Sequence, residues 1–230
     1  MRILSRLLAV VAFSALLPLS AHADGPATLT VTGTAVVEVA PDLATISLGV
    51  TTNGATAAAA MAANNDALSA VLARIRAAGI EDRDMQTSNL SLNPNWVTNP
   101  AGTTNEIQGY IATNMLTIRV RAMDQTGAVL DAAISDGANS LNGLSFGLQN
   151  QRPQEDEARK QAVADAIARA TLIAGAAGTK LGPILSIAEG GMAEPMPGPM
   201  YRMADAKAVP IAGGSVEVSA SVTIVFKLGE

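Results

Sequence analysis

The chain has 230 residues, a formal net charge of −5, one histidine and no cysteine. That length allows a sizeable core, and the lack of cysteine excludes disulfides and thiol chemistry. The acidic balance makes nucleic acid and anionic lipid poor partners.

Residues 1–23 read as a cleavable export signal: Arg2 and Arg6, an apolar run from Leu7 to Leu19, and Ala21-His22-Ala23 before Asp24. The run is too short to span a bilayer, and an uncleaved amphipathic anchor is the alternative reading. Cleavage removes two arginines and takes the formal charge from −5 to −7. It also removes the one histidine, which excludes Ser-His-Asp and Cys-His catalysis and the usual zinc sites. Residues 24–230 are then expected to form one exported domain.

Leu29 to Val50 alternates apolar and polar residues on both sides of Ala40-Pro41-Asp42, which predicts a β-hairpin turning at Pro41 and Asp42. Ala55 to Ala78 reads as a helix with Met61, Leu68, Leu72 and Ile75 on one face, stopped by Gly79. Met85 to Leu92 and Ile107 to Val120 read as strands, with a polar loop from Asn93 to Thr104. Asp124 is the expected N-cap of a short helix ending near Gly137, and Leu141 to Leu148 is strand-like. Pro153 opens the longest helix, with an inner stripe of Val163, Ile167, Ala170 and Ala174 and Gly178 after its end. Ile184 to Ala188 and Val216 to Leu228 read as strands on either side of a loose segment, 189–214.

These elements suggest an internal repeat. Gly49 in ISLGV precedes Gly79 by 30 positions, and Gly147 in LSFGL precedes Gly178 by 31. The expected fold is α+β: two β-α-β-β-type repeats sharing one core, with helices packed on mainly antiparallel sheet.

Several segments in one order carry a resemblance. VTGTAVVEVAPDLATISLGV, AAGIEDRDMQTSNLSLNP, GYIATNMLTIRV, DAAISDGANSLNGLSFGLQN, EARKQAVADAIARA and VEVSASVTIVF resemble the SIMPL-domain family from about Leu29 to Phe226. Family members in Gram-negative bacteria are known as periplasmic immunogenic proteins and oxidative-stress defence proteins. The resemblance implies a ring-like or channel-like homo-oligomer with a protective role in the envelope. It carries over no active site.

Candidate residues each have two readings. Asp42 matches the family's Pro-Asp pair and is either a lone acid-base group or a turn-pinning carboxylate; no partner group is evident, which favours the turn. Gly109 and Tyr110 match a Gly-Tyr pair that either bridges an interface or sits half-buried in a strand. Gly137-Ala138-Asn139 lacks a phosphate-loop pattern and reads as a helix stop. Glu155, Asp156 and Glu157 are either a weak cation site or a complement to the helix dipole. Met192, Met196, Met200 and Met203 lie in a proline-rich stretch and could ligate Cu(I), absorb oxidant, or form a passive loop.

The function expected is therefore non-enzymatic: a self-assembling periplasmic protein that protects the cell envelope or defends against oxidative stress. The alternative is a copper-binding or oxidant-buffering module acting through the methionine loop, and a hydrolase using carboxylates or a Ser/Lys pair is a third reading. No cofactor is expected. The expected partners are further copies of the chain, with no nucleic acid, no membrane span in the mature chain, and room for peripheral contact with the envelope.

Overall fold

A computed structural model describes residues 26–98, 105–191, 196–197 and 211–229. The segment read as an export signal and Met192, Met200 and Met203 lie outside the described residues, and Met196 lies in a two-residue strand. The strands are β1 (Thr28–Val39), β2 (Leu43–Gly54), β3 (Met85–Thr98), β4 (Asn105–Val120), β5 (Ser140–Gly147), β6 (Lys180–Glu189), β7 (Met196–Pro197) and β8 (Val216–Gly229). The helices are α1 (Ala57–Ala77), α2 (Thr126–Ser135) and α3 (Arg152–Ala176). They pack on two antiparallel sheets, as the α+β reading expects. One sheet runs β1-β8-β6, with β7 also on β8; the other runs β3-β4-β2-β5.

The first expected hairpin is not one. β1 pairs along its whole length with β8, from Thr28↔Lys227 to Val39↔Val216, while β2 lies between β4 and β5 in the other sheet. Pro41 therefore sits at a corner where the chain passes from one sheet to the next. Local alternation marks both strands correctly but does not choose their partners, which depends on what each face buries.

The second expected unit changes for the same reason. α1, β3 and β4 follow β2 as read, but LSFGL belongs to β5, which pairs with β2. The strand that lies beside β8, under α3, is β1. The apolar contacts also separate. One cluster joins β2 and β4 to α1 and α2 through Ile46, Leu48, Val71, Ile75, Leu116, Ile118, Val129 and Leu130. A second joins β1 and β8 to α3. A small third group, Leu148, Val216 and Val218 against Val39, lies near the corner.

The fully buried residues of helix α3 are all alanine, and Val163 packs beside them against the sheet. Ala158, Ala162, Ala166, Ala170 and Ala174 are buried at i, i+4 spacing, whereas Ile167 is exposed. Side chains this short bring the helix backbone onto the sheet, and Gly33 receives it: a Cβ there would lie 2.1 Å from Ala162 O and 2.4 Å from Ala166 N. The same helix reaches the edge of the sheet. Asp165 accepts the Thr34 N–H at 2.9 Å and pairs with Arg169 at 3.0 Å, and Arg169 Nη1 donates to the Thr32 carbonyl at 3.4 Å. The Thr34 N–H, helped by Arg169, holds the Asp165 carboxyl below the ordinary aspartate range.

α1 starts one turn after Gly54, with Thr56 Oγ1 accepting the Ala59 N–H at 3.2 Å as N-cap. Its buried face is Ala60, Asn64, Leu68, Val71 and Ile75, so Met61 and Leu72 flank the contact and Asn64 stands in its middle. Gly79 and Gly178 follow α1 and α3 with φ of 90° and 70°, the left-handed conformation that ends a helix most easily at glycine. Asp124 does not cap α2; it lies in a short 3-10 turn, and Thr126 Oγ1 donates back to the Met123 carbonyl at 2.8 Å.

β3 runs past the expected loop. Its ladder with β4 continues through Pro94↔Tyr110 to Thr98↔Asn105. Proline is tolerated because β3 is an edge strand, with no neighbour on its outer side among the described residues to need the missing N–H.

Candidate functional site at the sheet junction

Polar side chains collect where the two sheets meet. At the corner, the Asp42 N–H donates to Gly147 O at 3.1 Å. The Asp42 carboxylate accepts the Gln149 N–H at 2.6 Å, and Gln149 Nε2 donates to Asp42 O at 2.7 Å. Asp42 thus pins the corner to the segment between β5 and α3, where the sequence reading had it pin a hairpin. Gln149 Oε1 in turn accepts Arg121 Nη1 at 3.1 Å. Arg121 then clasps Asp84 with both arms, Nε to Oδ2 at 2.8 Å and Nη2 to Oδ1 at 2.7 Å.

Asp84 is buried, with 4% of its side chain exposed, and Arg119 Nε stands 3.6 Å from the same carboxylate. Its carboxyl is held below the ordinary aspartate range, first by the hydrogen bond from Arg121, against the opposing effect of burial, and then by the charges of Arg121, Arg119 and Arg83. The Arg121 guanidinium is correspondingly harder to deprotonate because Asp84 accepts its hydrogen bonds. A carboxylate engaged in this way is a poor general base, which needs a pKa near the working pH and a free lone pair toward substrate. The arrangement is a clamp between the corner, the base of the β3–β4 arm and the segment before α3.

Its pH dependence follows from the lowered pKa. The stabilisation is complete above the ordinary aspartate value and is lost as pH falls through the lowered one, in acid below about pH 4. Asp84→Asn is expected to lower the urea midpoint at pH 7 and to lower it less at pH 3, below the ordinary aspartate value. A difference of equal size at both pH values would show that the charge pairing is not the cause.

The other candidate residues lie apart from this clamp. Gly109 is buried where a Cβ would stand 2.8 Å from Gly54 O, so the Gly-Tyr pair marks a close approach of β4 to the end of β2. Tyr110 is half-buried beside it. Glu155 and Asp156 face Arg159, at 3.6 and 2.7 Å, and Arg159 also reaches Glu189 on β6 at 2.6 Å. Glu157 pairs with Lys160 at 3.7 Å. The acidic cluster therefore pairs with cations of its own helix, one of which, Arg159, also reaches β6. Among the described residues no group of three or more His, Cys, Asp or Glu is placed to hold a metal ion.

Sequence reasoning missed Asp84, Arg119 and Arg121. Their signal is the abrupt charge boundary they form: from Met85 to Ile118 the single charged residue is Glu106.

The family model SIMPL, described as a protein of unknown function (DUF541), matches residues 29–226. The chain is 38% identical over 215 residues to the 26 kDa periplasmic immunogenic protein of Brucella melitensis, covering 88% of this chain and 85% of that protein. It matches the protein of the same name from Brucella abortus equally well, at 38% identity over 215 residues. It is also 28% identical over 232 residues to the uncharacterized protein YggE of Escherichia coli, covering 95% and 93% of the two chains.

Proposed function

The chain belongs to the SIMPL family, and we propose that it works as a non-enzymatic periplasmic protein whose copies assemble into a homo-oligomer that protects the cell envelope, including against oxidative stress. Its similarity to the Brucella periplasmic immunogenic proteins supports the compartment. The observation that carries the assembly is the β3–β4 arm. Leu90, Leu92 and, beyond Pro94, Trp96 share one alternation of β3, and Ile107 stands opposite Trp96 on β4. All four are exposed, Trp96 by 57%, and the one charge between Met85 and Ile118 is Glu106. An uncharged apolar face of this kind marks an interaction surface.

A second exposed apolar run lies in the other sheet, with Ile184, Leu185 and Ile187 on β6. Two unlike apolar surfaces on one chain favour head-to-tail contact, which closes into a ring when the rotation allows. Light scattering on the mature protein at micromolar concentration is expected to give a multiple of the subunit mass, and Trp96→Asp with Leu90→Asp should reduce it without loss of secondary structure. A monomeric mature protein would overturn the assembly.

A further inference from the structure

The four sheet edges are not equally guarded. α3 occupies part of the β1 edge through Asp165 and Arg169. β3 carries Pro94 and two register breaks, and β6 carries Pro183 and two register breaks. Each of these devices hinders the addition of another strand. β5 has no proline and no charge from Ser140 to Gly147, and a single register break near its start. No strand among the described residues lies on its outer side, where alternate backbone N–H and C=O groups point.

Beside the start of this strand is an apolar cavity of about 190 Å³ lined by Leu48, Leu130, Ile134, Ala138 and Leu141, with Asn139 and Ser140 at its mouth. An apolar cavity of roughly 150 Å³ already accepts a benzene-sized guest. Leu48, Leu130 and Ala138 are buried and form its floor, whereas Ile134 is 51% and Leu141 54% exposed. α2 packs on α1, where Arg74 pairs with Asp136 at 3.1 Å, and Leu141 lines the opening beside α2.

We propose that the free edge of β5 and the pocket under α2 together bind an extended peptide, which adds to β5 as a further strand and seats one large apolar side chain between Ile134 and Leu141. Main-chain hydrogen bonds supply the affinity in this mode, and the pocket supplies the selectivity. Charge narrows the ligand. The lining holds no cation to receive a terminal carboxylate or an acidic side chain. Asp131, next to Leu130 on α2, is exposed and has no ion-pair partner among the described residues. The ligand is therefore an internal segment, neutral to basic, with Leu, Ile, Val or Met at the anchoring position. The groove is complete within one chain, so this site stands whether or not the protein assembles.

A fluorescently labelled peptide of alternating Leu and Thr with two lysines, otherwise acetylated and amidated at its ends, tests this by anisotropy against the whole mature protein. Saturable binding is expected, weakened at least about tenfold by Ile134→Asp or Leu141→Asp. Leu172→Asp, at a residue 73% exposed on α3, should leave it unchanged. A second peptide with proline at the central ladder position should not bind, which tests strand addition without any protein variant. The proposal is overturned by absent saturation, by equal binding of the proline peptide, or by unchanged binding in both pocket variants. It also falls if those variants lower the assembly mass while no peptide binds, because a second copy then occupies the groove.

Discussion

Replacing Gly33 with alanine or valine is expected to cost about 3 kcal/mol or more, enough to unseat α3 from its sheet. The reason is that the obstacle is backbone. A Cβ on Gly33 would stand 2.1 Å from Ala162 O and 2.4 Å from Ala166 N, and neither atom can rotate away as a side-chain tip would. α3 would have to lift, and lifting it opens the buried contacts of Ala158, Ala162, Ala166, Ala170 and Ala174 with Val31, Val222 and Ile224 together. Gly143→Ala is the control, since nothing lies within 4 Å of its added Cβ. It should stay within about 0.5 kcal/mol of the parent, as ordinary surface substitutions do. Urea unfolding followed by circular dichroism measures both. A Gly33→Ala protein as stable as Gly143→Ala would show that α3 does not lie this close to β1.

How much of this was legible in the sequence depends on the range of the interaction. The helix stops at Gly79 and Gly178 and the pattern of most strands follow from local chemistry, so the elements were readable in order. Pairing was not. VTGTAVVEV and LATISLGV look like one hairpin because each alternates and Pro41-Asp42 lies between them, yet β1 joins a strand 191 residues away, at Thr32↔Thr223. Nothing near Pro41 encodes that choice; the alanine stripe of α3 and the matching glycine at 33 do, and they meet only in three dimensions. The clamp was hidden for a related reason. Asp84, Arg121, Gln149 and Asp42 are far apart in the chain, and each is unremarkable until the corner brings them within hydrogen-bond reach.

Asn64 was the least readable residue of all, since a polar residue in an alanine-rich helix is normally assigned to the solvent face. Here it is fully buried, and its Nδ2 donates to Val50 O on β2 at 2.8 Å and to Ala112 O on β4 at 3.1 Å. One side chain thereby ties α1 to two neighbouring strands. Its own Oδ1 is buried without a hydrogen-bond partner in the structure, so part of that gain is offset. Asn64→Ala removes both donors and leaves a void, and is expected to cost about 2–3 kcal/mol. Asn64→Asp should be worse at neutral pH, about 3–5 kcal/mol, because a buried carboxylate would face two carbonyl oxygens with no cation nearby. Burial raises the pKa of that introduced carboxyl, so the sign runs opposite to Asp84. The extra penalty grows as pH rises above the ordinary aspartate value and shrinks in acid, where the protonated group can donate one hydrogen bond. Urea unfolding at pH 7 and pH 4 separates the two variants: Asn64→Asp should recover toward Asn64→Ala in acid. A cost below about 0.5 kcal/mol for Asn64→Ala, the range of an ordinary surface change, would mean that the two hydrogen bonds contribute nothing net to holding α1 on its sheet.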